Sequence, residues 1–424
     1  MNILQKIYYS LSPYVDGHER RIAKFLDGLR EADAKQLITK QVTDLIQQDI
    51  TVFNLWCEWR YRGYRYLGKS TRRQLYANFD HIKSSFSDYS AQHTVDKEKL
   101  LDELSALGID SEQFNKHAEQ WVYIKQIMEY LSPARGRYEY RESSTFGKLL
   151  RNPNRESLIG DCNQIVTLYI ALFALKFDVQ LLQLKTYPGH VALHFDGIDV
   201  EATRAEFKKY DEPKQEILPI HEIISINLLD VSDDYYRTKK VPATTILESA
   251  RLASLISSNQ ELVSRNLEVA YNNSVAELMR SNSYDRALSF ALQSNNSKLI
   301  DAVGTNGASF YLQKQDFARA LKLSEHSSQH AQLQKVIYHN QGAYLMKKQN
   351  YHGAIDVFKK IGDEEAVRNC YVGLYQQETS KLPKQFTSTE IKSYKGVIHN
   401  LNDYANKSGN KTLIQHAGEL RKHL

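Results

Sequence analysis

The sequence predicts a mostly helical α+β chain in three parts. A helical region spans 1–140, a small α+β core with an antiparallel meander spans 141–240, and helical repeats with capping helices span 245–424. Three observations predict it. Apolar residues recur at helix spacing in the first part. In the second, one strongly apolar helix precedes short β-like runs, two of them joined by Asp196-Gly197. In the third, an aromatic–Ala–Leu/Ile pattern returns after 33 and then 34 residues.

The totals bound the function classes. A chain of 424 residues is long enough for two or three cores. Hydrophobic and charged residues, at 42% and 25%, are in globular proportion, and only 19 Gly and 8 Pro argue against fibrous or disordered classes. A formal net charge of +5 is too weak to point to a nucleic acid or a membrane. The three cysteines, Cys57, Cys162 and Cys370, lie far apart with no C-x-x-C pair. That argues against a disulfide framework or a structural zinc site and favours a reducing, cytoplasmic setting. Met1 to Tyr14 does not read as a signal peptide. The longest apolar stretch, Ile165 to Phe177, is interrupted by Thr167 and Lys176 and is too short to span a membrane. No cofactor or metal is expected.

In the first part, Leu37, Ile38, Val42, Leu45, Ile46, Phe53 and Trp56 follow helix spacing between Ala34 and Trp59. Further helices are expected at Lys97–Leu107 and Ser111–Tyr130, the latter stopped by Leu131-Ser132-Pro133. Gly63 to Ser70 formally matches G-x-x-x-x-G-K-S. A phosphate loop follows a strand and needs an uncrowded backbone; here a helix precedes it and Tyr64, Arg65 and Tyr66 crowd it. The Arg- and aromatic-rich run from Trp56 to Arg73 has the composition of a base-stacking surface. The preferred reading is a helix edge whose Arg stems cover aromatic core.

In the second part, Arg151–Glu156 reads as a polar loop and Asp161 as the N-cap of a buried helix, Cys162–Phe177. Extended runs follow at Val179–Thr186, His190–Phe195 and Ile198–Thr203. With Asp196-Gly197 as turn residues, Phe195 pairs with Ile198, His194 with Asp199, Leu193 with Val200 and Ala192 with Glu201. Val191, Leu193, Phe195, Ile198, Val200 and Ala202 then share one apolar face. His190, His194, Asp199, Glu201 and Thr203 share the other. Glu201 becomes a diagonal neighbour of His190 and is long enough to reach it, whereas Asp199 is too distant and too short. His194 and Asp199 are expected to pair at the exposed end of the hairpin.

Chemistry concentrates on three of these residues. Cys162 at a helix N-terminus meets unpaired N–H groups and partial positive charge, which favour the thiolate and could hold an oxyanion. His190, 28 residues later, can move the proton. Glu201 can orient the imidazole. The stretches Gly160-Asp161-Cys162, Gly189-His190-Val191 and Glu201-Ala202-Thr203 resemble the transglutaminase-like superfamily, a papain-related fold of cysteine peptidases, transglutaminases and amide hydrolases. The resemblance covers roughly residues 145–205. It implies Cys162 as nucleophile, His190 as base and acid, and Glu201 as orienter. Two features depart from the family: Glu201 replaces its usual Asp, and no Gln or aromatic oxyanion partner before Cys162 is recognisable.

In the third part, Tyr284-Asp285-Arg286-Ala287-Leu288, Phe317-Ala318-Arg319-Ala320-Leu321 and Tyr351-His352-Gly353-Ala354-Ile355 align. Small residues Ala276, Ala308 and Gly342 lie 11 or 12 positions before the repeated Ala. The pattern resembles tetratricopeptide repeats, with helices near Glu364–Gln377 and Thr412–Leu424 as caps. That resemblance implies a groove for a protein or peptide partner. The leading expectation is a thiol-dependent acyl transferase or amide hydrolase; the alternative is a non-catalytic adaptor on a degenerate scaffold.

Overall fold

Aspartates cap three of the N-terminal helices in the computed structural model, which describes residues 8–383 and 390–424. Residues 1–7 of the N-terminal stretch fall outside the described residues. Asp16 accepts from the backbone N–H groups of His18 and Glu19, both at 2.9 Å, and starts the helix Gly17–Gly28. Asp96 caps Lys97–Ser105, and Asp110 forms a capping box with Gln113 ahead of Ser111–Lys116. Lys35–Arg60 kinks at Asp49, whose carboxylate accepts from the Thr51 and Val52 N–H groups. The helix expected over 111–130 breaks at His117, which leaves helical geometry and sets its ring against Phe195.

The chain divides into two compact units, 1–271 and 272–424. Within the first, the expected boundary near residue 140 has no counterpart in the packing. One hydrophobic core runs from Ile22 through Phe53, Trp121, Leu168 and Val200 to Val263. At its centre lies the helix Cys162–Phe173, in which every residue from Asn163 to Phe173 is buried. It ends four residues short of the expected Phe177, in a turn at Ala174–Lys176.

Two sheets flank this helix. Strands β1 (Tyr138–Tyr140) and β2 (Leu158–Gly160) pair in parallel and were not foreseen. The second sheet holds β3 (Gln183–Tyr187), β4 (His190–Phe195), β5 (Ile198–Glu201), β6 (Glu206–Lys208) and β7 (Glu216–Pro219). Its order is β6-β5-β4-β3-β7, antiparallel throughout. Val179–Leu181, expected as strand, forms a 3₁₀ turn capped by Asp178. Asp196 and Gly197 both adopt positive φ, at 48° and 87°, as a two-residue primed turn requires. The pairs Phe195–Ile198, His194–Asp199 and Leu193–Val200 form as expected, and the apolar face is buried.

Two arginines of the basic aromatic run, Arg62 and Arg72, are buried, whereas Arg60, Arg65 and Arg73 stay exposed. Arg72 is fully buried, ion-paired to Glu19 at 2.6 Å and stacked 4.0 Å over the Trp59 ring. Arg62 is buried against Asp233 at 2.9 Å. Lys69, of the phosphate-loop-like stretch, donates to the carbonyls of Tyr9 and Ser12, and Gly68 caps the helix Lys69–Gln92. Among the described residues no helix is long and apolar enough to cross a membrane.

The second unit contains successive helices Tyr284–Gln293, Ser297–Gln313, Phe317–Ser324, His330–Lys347, Tyr351–Lys360, Glu364–Thr379, Lys395–Ser408 and Lys411–Arg421. The repeat is visible in its turns. Asn282, Gln315 and Gln349 take left-handed φ of 58°, 59° and 59°, each five positions before the repeated Ala287, Ala320 or Ala354. The turn aromatics fill space left by small residues of a later helix: Tyr284 lies against Gly307 and Tyr351 against Gly373. Ala276 proves exposed. Val275, twelve positions before Ala287, takes the buried place instead.

This packing separates two glycines that look alike in sequence. A Cβ on Gly342 would lie 2.5 Å from the Phe358 ring, whereas one on Gly418 meets nothing within 4 Å. Gly418→Ala is expected to raise stability by up to about 1 kcal/mol through helix propensity. Gly342→Ala is expected to lower it by about 1–2 kcal/mol, because overpacking outweighs the same gain. Urea denaturation checks both signs; stabilisation by Gly342→Ala would contradict the packing.

Candidate active site

Asp161 fixes the position of Cys162. Strand β2 delivers the chain to Asp161, whose side chain and that of Gln164 form a reciprocal capping box. Gln164 also donates to the Ser144 carbonyl, which pins the loop before β2 to the helix start. Cys162 therefore occupies the first helical position and stays half-buried. Burial, reinforced by Asp230, raises the Asp161 carboxyl to about 7. Asn163 donates to Asn227 at 3.3 Å and to Asp230 at 3.2 Å, so the back of the helix start is tied to the core.

His190 arrives from the other side. Gly189, at φ 78°, makes the turn out of β3, and Tyr187 pairs across the ladder with His190. His190 Nε2 meets Glu201 Oε2 at 2.8 Å, and Cys162 lies near enough to help raise the imidazole. With Nε2 committed to the carboxylate, Nδ1 is the nitrogen left for sulfur. Burial works against a charged imidazole. The hydrogen bonds and charges of Cys162 and Glu201 outweigh it, and the group rises to about 9.

Glu201 is almost fully buried, which disfavours its charge. Bonds from His190, from the Thr203 N–H at 3.0 Å and hydroxyl, and from the Tyr210 hydroxyl at 2.6 Å prevail and hold it near 2. The structure thus brings Cys162, His190 and Glu201 together. Asp199 stands apart, bonded to His194 at 2.6 Å and ion-paired to Lys185 at 3.1 Å. The expected His194–Asp199 pair forms, but it is buried rather than exposed. The segment after β6 covers it: Asp199 accepts from the Tyr210 N–H at 2.7 Å, and Lys185 donates to the Tyr210 carbonyl. The same clamp holds the Tyr210 ring over Glu201.

Three tyrosines join the site without having been singled out by the sequence. Tyr140, Tyr187 and Tyr210 line a cleft of about 510 Å³ with His190, Glu201, Thr203, Arg204 and Lys208. Burial raises the Tyr140 hydroxyl above its ordinary range, and the neighbouring Cys162 and Asp161 add to this. It therefore keeps its proton as a donor near the thiol. Register places Tyr140 beside Gly160, two residues before Cys162. No protein-family model, curated protein or solved structure matches this chain. Function is therefore argued from the geometry. Among the described residues, no group of three or more His, Cys, Asp or Glu could hold a metal ion. A second cleft of about 420 Å³, lined by Thr39, Lys40, Asp44, Gln183 and His221, contains no member of the Cys–His–Glu set.

The environments rank the three thiols. Cys57 is fully buried and pushed far up by desolvation; burial, then Asp363, raises Cys370 to about 11. Limiting iodoacetamide near neutral pH is expected to label Cys162 first, as peptide mapping would read. Glu201→Gln is expected to change that labelling rate across pH more than Asp199→Asn, whose chief effect falls on stability. Preferential labelling of Cys57 or Cys370, or a larger effect from Asp199→Asn, would contradict the arrangement.

Proposed function

We propose that this chain carries out thiol-dependent acyl transfer or amide-bond hydrolysis, with Cys162 as nucleophile, His190 as proton carrier and Glu201 as orienter. One observation carries the reading: a single imidazole bonded to a buried, fully hydrogen-bonded carboxylate and influenced by a half-buried cysteine at a helix start. The resemblance of the same residues to transglutaminase-like enzymes supports it. The tetratricopeptide-like repeats are proposed to hold a protein or peptide partner, whose amide bond or side-chain amide is the acyl donor.

The chemistry follows from the charges. An imidazole raised to about 9 is protonated at neutral pH, and the reacting form of Cys162 is its thiolate. The thiolate attacks the amide carbonyl carbon. The tetrahedral oxyanion collects at the backbone N–H groups of the helix start, with the Tyr140 hydroxyl as added donor. Nδ1–H of His190 protonates the leaving amine, the C–N bond breaks, and a thioester remains on Cys162. Forming the thioester removes the thiolate charge and its hydrogen bond, two of the influences that raise His190. The imidazole then falls toward its ordinary value and can take a proton from water or from an acceptor amine, which attacks the thioester and restores the thiolate.

Glutamine- and glycine-containing peptides test this with two readouts, ammonia release and peptide cleavage. Cys162→Ala is expected to abolish turnover of any peptide that is processed, and His190→Ala to lower it by at least about 10³-fold. Tyr140→Phe is expected to lower kcat by about 10- to 100-fold with little change in KM, because the bond it loses forms in the transition state. Full activity in Cys162→Ala would contradict the proposal. No turnover by a protein whose Cys162 is also unreactive would favour the adaptor reading.

A further inference from the structure

The cleft beside His190 has a cationic side. Its cations, Arg204 and Lys208, lie on the side that continues from Thr203 into β6. The acid lining it is Glu201, whose charge is already met by His190, Thr203 and Tyr210. Glu206 pairs with Lys208 at 3.0 Å and approaches Arg204 at 3.9 Å, so one carboxylate serves two cations. Tyr140, Tyr187 and Tyr210 complete the lining. The Tyr187 and Tyr210 rings pack against each other, with centroids 5.1 Å apart.

We propose that this cleft selects acyl donors carrying a carboxylate near the reacting carbonyl, as in an acidic peptide, and seats that carboxylate against Arg204 and Lys208. The proposal rests on the thiol-dependent reading of Cys162 and deepens it. Arg204 and Lys208 are specificity residues: they recognise charge and stand outside proton transfer. Lys208 is the better anchored, because its ammonium lies 5.3 Å over the Tyr210 ring that also holds Glu201.

The test uses two thiol-directed reagents of equal size, iodoacetamides built on N-acetylglutamate and on N-acetylglutamine, with the full-length protein and mapping of adducts on Cys162. The glutamate reagent is expected to label Cys162 about fivefold faster, the scale that two partly exposed ion pairs supply, and the advantage should shrink with added salt. The double variant Arg204→Gln, Lys208→Gln should remove the advantage and leave the glutamine reagent's rate unchanged. Equal rates in the wild type, or an advantage that survives in the double variant, would overturn the anionic subsite while leaving the thiol reading intact. Failure of both reagents to favour Cys162 over Cys57 and Cys370 would overturn the thiol reading, and the subsite with it.

Discussion

The hydrogen bond between His190 and Glu201 is the contact on which the rest of the site depends. It joins adjacent strands of the meander, and it leaves the imidazole one nitrogen free of the carboxylate, with Cys162 close by. Each partner is held in turn by structure with no chemical role of its own. The primed turn at Asp196-Gly197 sets the register that brings Glu201 diagonal to His190. The Asp199–Lys185–Tyr210 clamp closes the sheet's polar face and delivers a further donor to Glu201. Asp161 and Gln164 hold the helix start so that Cys162 is its first residue. Removing any one of these shifts an atom the other two do not control.

Opposed effects of similar size govern the charges. Burial alone would leave His190 neutral and Glu201 protonated. Both stay charged because their hydrogen bonds are made within the same buried cluster, where each bond counts for more than in water. Asp161 shows the contrary outcome a few residues away. It caps a helix, yet burial and Asp230 raise it to about 7, because fewer donors reach it. Donors and neighbouring charges, rather than depth alone, separate the carboxylate that stays ionised from the one that approaches neutrality.

What was legible in the sequence was local or periodic. The Asp-Gly turn and the alternation on either side of it gave strand pairing, the apolar face and the choice of Glu201 over Asp199. The 33- and 34-residue spacing gave helix pairs whose turns repeat the same left-handed residue. What was hidden depended on distant or irregular chain. Tyr140 reaches the site through a parallel pairing with Gly160, and three-residue strands leave too little pattern to read. Tyr210 lies in the irregular segment after β6, and that segment also buries His194 and Asp199, which the hairpin taken alone leaves exposed. The slip from Ala276 to Val275 has a similar origin: residue size suggested the helix face, but packing chose the position one residue away.

His190 lies between Cys162 and the Glu201 carboxylate, which together hold its proton. NMR titration of the His190 ring tests it most directly, in the wild type and in Cys162→Ala and Glu201→Gln. A midpoint near 9 is expected in the wild type, with a fall toward the ordinary value of about 6.5 in each variant. A wild-type midpoint near that ordinary value, unmoved by either substitution, would contradict it.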